Sequence, residues 1–127
     1  MKIALIDDDS TTNFINKVKL KKAIPTCEIN VFSNGKEALN YLENGGEIDV
    51  ALLDLNMPIM NGMQFLKAHN NLISNKIGKI ILFIEQKIDD DFKNENGLFL
   101  SVQKPLDEGK INLIFNSEKI LDLNLVK

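Results

Sequence analysis

A chain of 127 residues, of which 44% are hydrophobic and 26% charged, can build one domain with a substantial core but not two. A formal net charge of -3 and a pI near 5.1 leave no basic footprint for direct contact with nucleic acid. One cysteine excludes an internal disulfide, no apolar run approaches the roughly 20 residues of a membrane span, and Asp7 to Asp9 interrupt the N-terminus too early for a signal peptide, so the expectation is a single cytoplasmic domain over residues 1–127 with no separate output domain.

The first predicted strand, Ile3-Ala4-Leu5-Ile6, runs directly into Asp7-Asp8-Asp9. Three acids there have two readings: a cap on the following helix, whose N-terminus favours negative charge, or carboxylates gathered at a strand end. Ser10 can start a helix in which Phe14, Ile15, Val18 and Ile24 recur near helical spacing, with Lys17, Lys19, Lys21 and Lys22 mostly outward. Pro25 stops it. Cys27 to Phe32 alternates like a strand with one wetter face, which places it at a sheet edge with Cys27 as a buried thiol. Ser33-Asn34-Gly35 then turns into a helix carrying Ala38, Leu39 and Leu42, closed by Asn44-Gly45-Gly46.

The stretch from Ile48 to Gly62 organises the rest. Its apolar run Val50 to Leu53 is short and continuous, and Asp54, Asn56, Pro58 and Asn61-Gly62 follow at once, as in a buried parallel strand ending in a loop. Gly62 leads into a helix with Met63, Leu66, Leu72 and Ile73. His69 in that helix has no co-ligands nearby and reads as a surface residue. Lys79 to Ile84 is a fourth strand, rich in β-branched residues. Asp89 to Asp91 suit the start of a short helix ended by Gly97, and Leu98 to Val102 form a fifth strand followed by Lys104-Pro105. The tail from Leu106 carries Ile111, Leu113, Ile114, Ile120 and Leu121, enough for a closing helix with a frayed end.

Strands alternating with helices predict an α/β fold: a parallel sheet covered on both faces. If the first and third strands are neighbours, their acids crowd one edge. Like charges in one pocket are costly unless a cation joins them, and oxygen-only ligands favour Mg²⁺.

With acids after the first strand, Asp54-Leu55-Asn56-Met57-Pro58 after the third, Gly62, and Lys104-Pro105 after the fifth, the chain resembles the receiver domain of response regulators, the CheY-like superfamily, which implies a flavodoxin-like, doubly wound (βα)5 sandwich with parallel sheet order 2-1-3-4-5. The resemblance spans essentially the whole sequence. It implies that Asp54 is a phosphoacceptor, that Asp7 and Asp8 hold Mg²⁺ together with Asp54 and the Asn56 backbone carbonyl, and that Lys104 pairs with the phosphoryl group. Pro105 resembles the residue that shapes the lysine's loop. The implied partners are a histidine kinase or histidine phosphotransfer protein and a downstream protein target. The implied state is a monomer or weak dimer that is a signalling domain, not an enzyme.

Departures lie in the second half. Ile84 stands where the family has a phosphoryl-binding Thr or Ser, Glu85 where a small residue is usual, and Ser101 at the aromatic switch position. Two other functions therefore stay open. One is a degenerate receiver serving as a phosphorylation-independent interaction module. The other is a haloacid-dehalogenase-like phosphatase, because Asp7 to Thr11 fits Asp-x-Asp-x-Thr, although that reading leaves Asp54 unexplained.

Overall fold

The computed structural model describes residues 1–71, 76–85 and 101–115. Within them β1 (Lys2–Ile6), β2 (Glu28–Phe32), β3 (Ile48–Leu53), β4 (Ile77–Ile84) and β5 (Ser101–Gln103) make one parallel sheet in the order β2-β1-β3-β4-β5. The helices are α1 (Ser10–Ala23), α2 (Gly35–Glu43), α3 (Gly62–Asn70) and α4 (Glu108–Phe115). This is the flavodoxin-like, doubly wound order expected from the sequence. The short helix predicted from Asp89 to Gly97 lies outside the described residues, as do Leu72, Ile73, Leu98 to Leu100, Ile120 and Leu121. None of the described helices is long and apolar enough to cross a membrane.

Side-chain alternation divides the sheet into two cores. Ala4, Ile6, Ala51, Leu53, Leu82 and Ile84 face α2 and α3, where they meet Leu39, Leu42, Phe65 and Leu66. Ile3, Leu5, Val50, Leu52, Ile81 and Phe83 face the other way, against Leu20 of α1 and Ile111 and Ile114 of α4. Strands covered on both sides need apolar residues at every position, which is why β1, β3 and β4 read as continuous apolar runs. The edge strand β2 is wetter, and Val31 on it is exposed. Cys27 is buried, as expected.

Three local expectations are corrected. The first concerns α1, whose buried residues are Asn13, Asn16 and Leu20, while Phe14, Ile15 and Val18 are 69%, 43% and 53% exposed. The phase of the helix is set by its cap. The Asp9 carboxylate accepts from the backbone N–H groups of Thr11 and Thr12, and the buried Asn13 amide donates to the Asp7 carbonyl at 2.8 Å. Asn13 therefore turns inward because it has a backbone group to bond, and Phe14, Ile15 and Val18 mark the outer face.

The second correction is His69, which is buried and stacks on Phe65 one helical turn earlier, ring centroids 6.2 Å apart. Its burial pushes the imidazole pKa down, and neither ring nitrogen has a partner among the described residues. The third is Leu113, half exposed on α4 while Ile111 and Ile114 point inward. β5 also runs one residue past Val102, and the ladder continues further, the Lys104 N–H donating to the Ile84 carbonyl at 2.7 Å.

Candidate phosphoacceptor pocket

Adjacent strand ends build the pocket. Ile6 is in register with Leu53, so the next residues, Asp7 and Asp54, stand side by side at the carboxyl edge of the sheet. Backbone bonds extend both ladders by one step: Asp7 N–H to Phe32 carbonyl at 3.0 Å, and Asp54 N–H to Ile6 carbonyl at 2.9 Å. Asp7, Asp8 and Asp54 each present a carboxylate oxygen within 4.8 Å of the others, with Asp7 and Asp54 buried and Asp8 exposed. Lys104 reaches in from the end of β5. Its ammonium lies 2.9 Å from Asp7 Oδ2 and 3.6 Å from Asp54 Oδ1.

Charge and burial compete here. Burial and the neighbouring Asp7 charge push the Asp54 pKa up, opposed by Lys104 and by a hydrogen bond from the Asn56 backbone N–H. Burial alone would lower the Lys104 ammonium, but its hydrogen bond to Asp7 and the charges of Asp7 and Asp54 hold it above the usual lysine value. Among the described residues, one ammonium, that of Lys104, is thus paired within this cluster of three carboxylates.

The loop after β3 is held tightly beneath Asp54. A side chain at Gly62 would come within 2.6 Å of the Asp54 carbonyl oxygen and 2.8 Å of the Leu55 Cα, so only glycine lets α3 start this close. Asn61 and Gln64 then close a reciprocal capping box at 2.9 Å in each direction. Just before that cap, Ile59 takes φ +66° in a γ-turn, with the Met60 N–H donating to the Pro58 carbonyl at 2.7 Å, and its side chain is 81% exposed. The Lys104–Pro105 peptide bond is cis.

Ile84 is buried in the α2–α3 core at the end of β4, Glu85 beside it is exposed, and Ser101 is half-buried on β5. Asp9 does not join the pocket trio, because its carboxylate caps α1. Asp-x-Asp-x-Thr is thereby an α1 start in this fold. Sequence reading missed Asn13, whose only signal was a polar residue on a helix one turn past the acids. It also missed the outward Phe14, which with Val31 and Lys17 lines a cleft of about 290 Å³ leading to Asp7 and Asp8.

Hard oxygen ligands in a partly buried cluster of three carboxylates, with Lys104 alone paired within it among the described residues, fit Mg²⁺: the donor set is right, and the excess negative charge calls for a cation.

The sheet order and the acidic pocket at its carboxyl edge define the CheY-like class of flavodoxin-like domains. Residues 3–116 match the response regulator receiver domain family, and the chain belongs to it. It is 35% identical over 111 residues to Two-component response regulator 24 of Arabidopsis thaliana, covering 85% of this chain and 77% of that protein. It is also 33% identical over 85 residues to the cyclic di-GMP phosphodiesterase RocR of Pseudomonas aeruginosa, covering 67% of this chain and 21% of that protein. A two-component response regulator from Cytophaga hutchinsonii has the same fold, with a TM-score of 0.76 at 25% identity over 95% of this chain and 96% of that one. The chain is therefore a signalling domain of the two-component type.

Proposed function

We propose that this receiver accepts a phosphoryl group on Asp54 from a phosphohistidine carried by a histidine kinase or histidine phosphotransfer protein, and signals by contact with a downstream protein. The observation that carries the reading is the convergence of Asp7, Asp8 and Asp54 with the Lys104 ammonium at 2.9 and 3.6 Å. In the transfer, an Asp54 carboxylate oxygen forms the new O–P bond as the N–P bond of the donor breaks, and the imidazole leaves with that electron pair and takes up a proton from solvent. Asp7 and Asp8, with Asp54 and the Asn56 carbonyl, would hold Mg²⁺. That ion supplies charge neutralisation between two anionic reactants. Lys104 adds the same service from the β5 side, and the Asn56 N–H orients the attacking carboxylate.

The exposed Phe14, which lines the cleft that opens on Asp8, and the exposed Val18 one turn further along α1 support docking of the donor protein along this helix. Intact-mass measurement after treatment with acetyl phosphate and Mg²⁺ tests the chemistry. One phosphoryl group is expected on the wild-type protein and none on Asp54→Asn or in excess chelator. Equal uptake by wild type and Asp54→Asn would refute it.

A second reading, an interaction module independent of phosphorylation, draws support from Ile84. This side chain is packed in the apolar core and cannot donate a hydrogen bond to a phosphoryl group. If the chain works that way, Asp54→Asn binds the downstream protein as the wild type does.

A further inference from the structure

We propose that Phe83 is a positioning residue, which holds the Lys104 ammonium at its ring face and so aims it at the phosphoryl group entering the Asp54 pocket. The proposal rests on the reading of Asp54 as phosphoacceptor. The Lys104 Nζ lies 5.5 Å from the centroid of the Phe83 ring, inside the range in which the negative face of an aromatic ring attracts a cation. Sheet register places them together: Phe83 is opposite Val102, and Lys104, two residues on, projects to the same face of the sheet. Phe83 is 2% exposed, packed in the α1–α4 core, so the ring is a fixed platform.

A lysine head on a four-carbon stem needs such a platform. Of the two carboxylates beside it, Asp7 is at hydrogen-bonding distance, whereas Asp54 at 3.6 Å is too far to fix its direction. A third carboxylate against the ammonium would orient it but would also compete with an incoming anion. A ring face orients without consuming an N–H, which leaves donors for the phosphoryl oxygens. The arrangement matters more in this chain because Ile84 offers no hydroxyl, and Lys104 is the one side-chain cation paired with Asp7 and Asp54 among the described residues.

Packing alone would also place a ring under a lysine stem, so the test separates the ring face from its bulk. Phe83→Leu keeps an apolar side chain and removes the ring, and Phe83→Tyr keeps the ring. Lys104 is observed by NMR, and Mg²⁺-dependent affinity for beryllofluoride is measured on the full chain. In wild type and Phe83→Tyr the Lys104 ε-methylene protons should be shifted upfield by the ring. In Phe83→Leu they should return to ordinary values, and beryllofluoride should bind about threefold to tenfold more weakly. Should Phe83→Leu fail to fold, Phe83→Met makes the same comparison.

Unshifted Lys104 protons in the wild type, or equal beryllofluoride affinity in the ring-less variant, would overturn the proposal while leaving Asp54 as acceptor. A wild-type protein that binds no beryllofluoride would overturn the reading of Asp54 and this proposal together.

Discussion

Ile59 holds a backbone conformation that β-branched residues avoid, and it does so on an exposed loop with no packing to compensate. Ile59→Asn, which accepts a positive φ more readily than a β-branched residue, should stabilise the protein by roughly 0.5–1 kcal/mol in urea unfolding. A loss of stability there would show that Ile59 makes a contact of its own. Asp54 carries strain of another kind, electrostatic in origin. Because its folded pKa is raised above 3.8, the folded state holds a proton that the unfolded chain has lost, and stability falls as pH rises through that window. Above it the ionised carboxylate burdens the fold. Asp54→Asn should therefore melt higher than wild type at neutral pH in chelator, and the gap should close as pH falls towards 3.8. Adding Mg²⁺ should raise the wild-type midpoint more than that of the variant. Asn13 ties α1 to the Asp7 carbonyl from a buried position, so Asn13→Ala should cost about 1–2 kcal/mol and weaken Mg²⁺ binding, which isothermal titration would read.

At the scale of elements, legibility depended on whether apolar pattern and burial coincide. β3 and α2 were readable because Val50 to Leu53 and Ala38, Leu39 and Leu42 are all buried. In α1 the two part company. Its inward face includes Asn13, bonded to backbone where another helix would use leucine, and Asn16, and Phe14, Ile15 and Val18 turn outward. Leu20→Ala should cost roughly 2–4 kcal/mol. Phe14→Ser should change stability by no more than about 0.5 kcal/mol. The same Phe14→Ser substitution should slow phosphotransfer from the partner protein and leave acetyl phosphate reactivity intact. His69 misled for a related reason: a lone polar residue reads as surface, but its i,i+4 spacing from Phe65 put it on the inward face. At the end of β4, Ile84 belongs to the core, so phosphorylation should transmit little to β5. Chemical shifts of Ser101 to Gln103 should barely respond to beryllofluoride in wild type and should respond more in Ile84→Thr. A large wild-type response would rule this out.

For the whole molecule, the meeting of Asp7, Asp8 and Asp54 was legible because the acids directly follow runs of apolar residues and parallel strands deliver their ends to one edge, while the strand order followed from the family resemblance. Phe83 and Lys104 were not legible as a pair. Their contact depends on the β4–β5 register, which apolar periodicity cannot specify for a three-residue edge strand with a single buried side chain. The central claim is that one carboxylate in this crowded pocket is the phosphoacceptor, and borohydride reduction followed by peptide mapping tests it most directly, since it converts an aspartyl phosphate to homoserine at the site where it forms. After reaction with acetyl phosphate and Mg²⁺, homoserine is expected at position 54 alone and is expected to disappear in excess chelator. Homoserine at Asp7, Asp8 or Asp9, or an undiminished yield from Asp54→Asn, would contradict it.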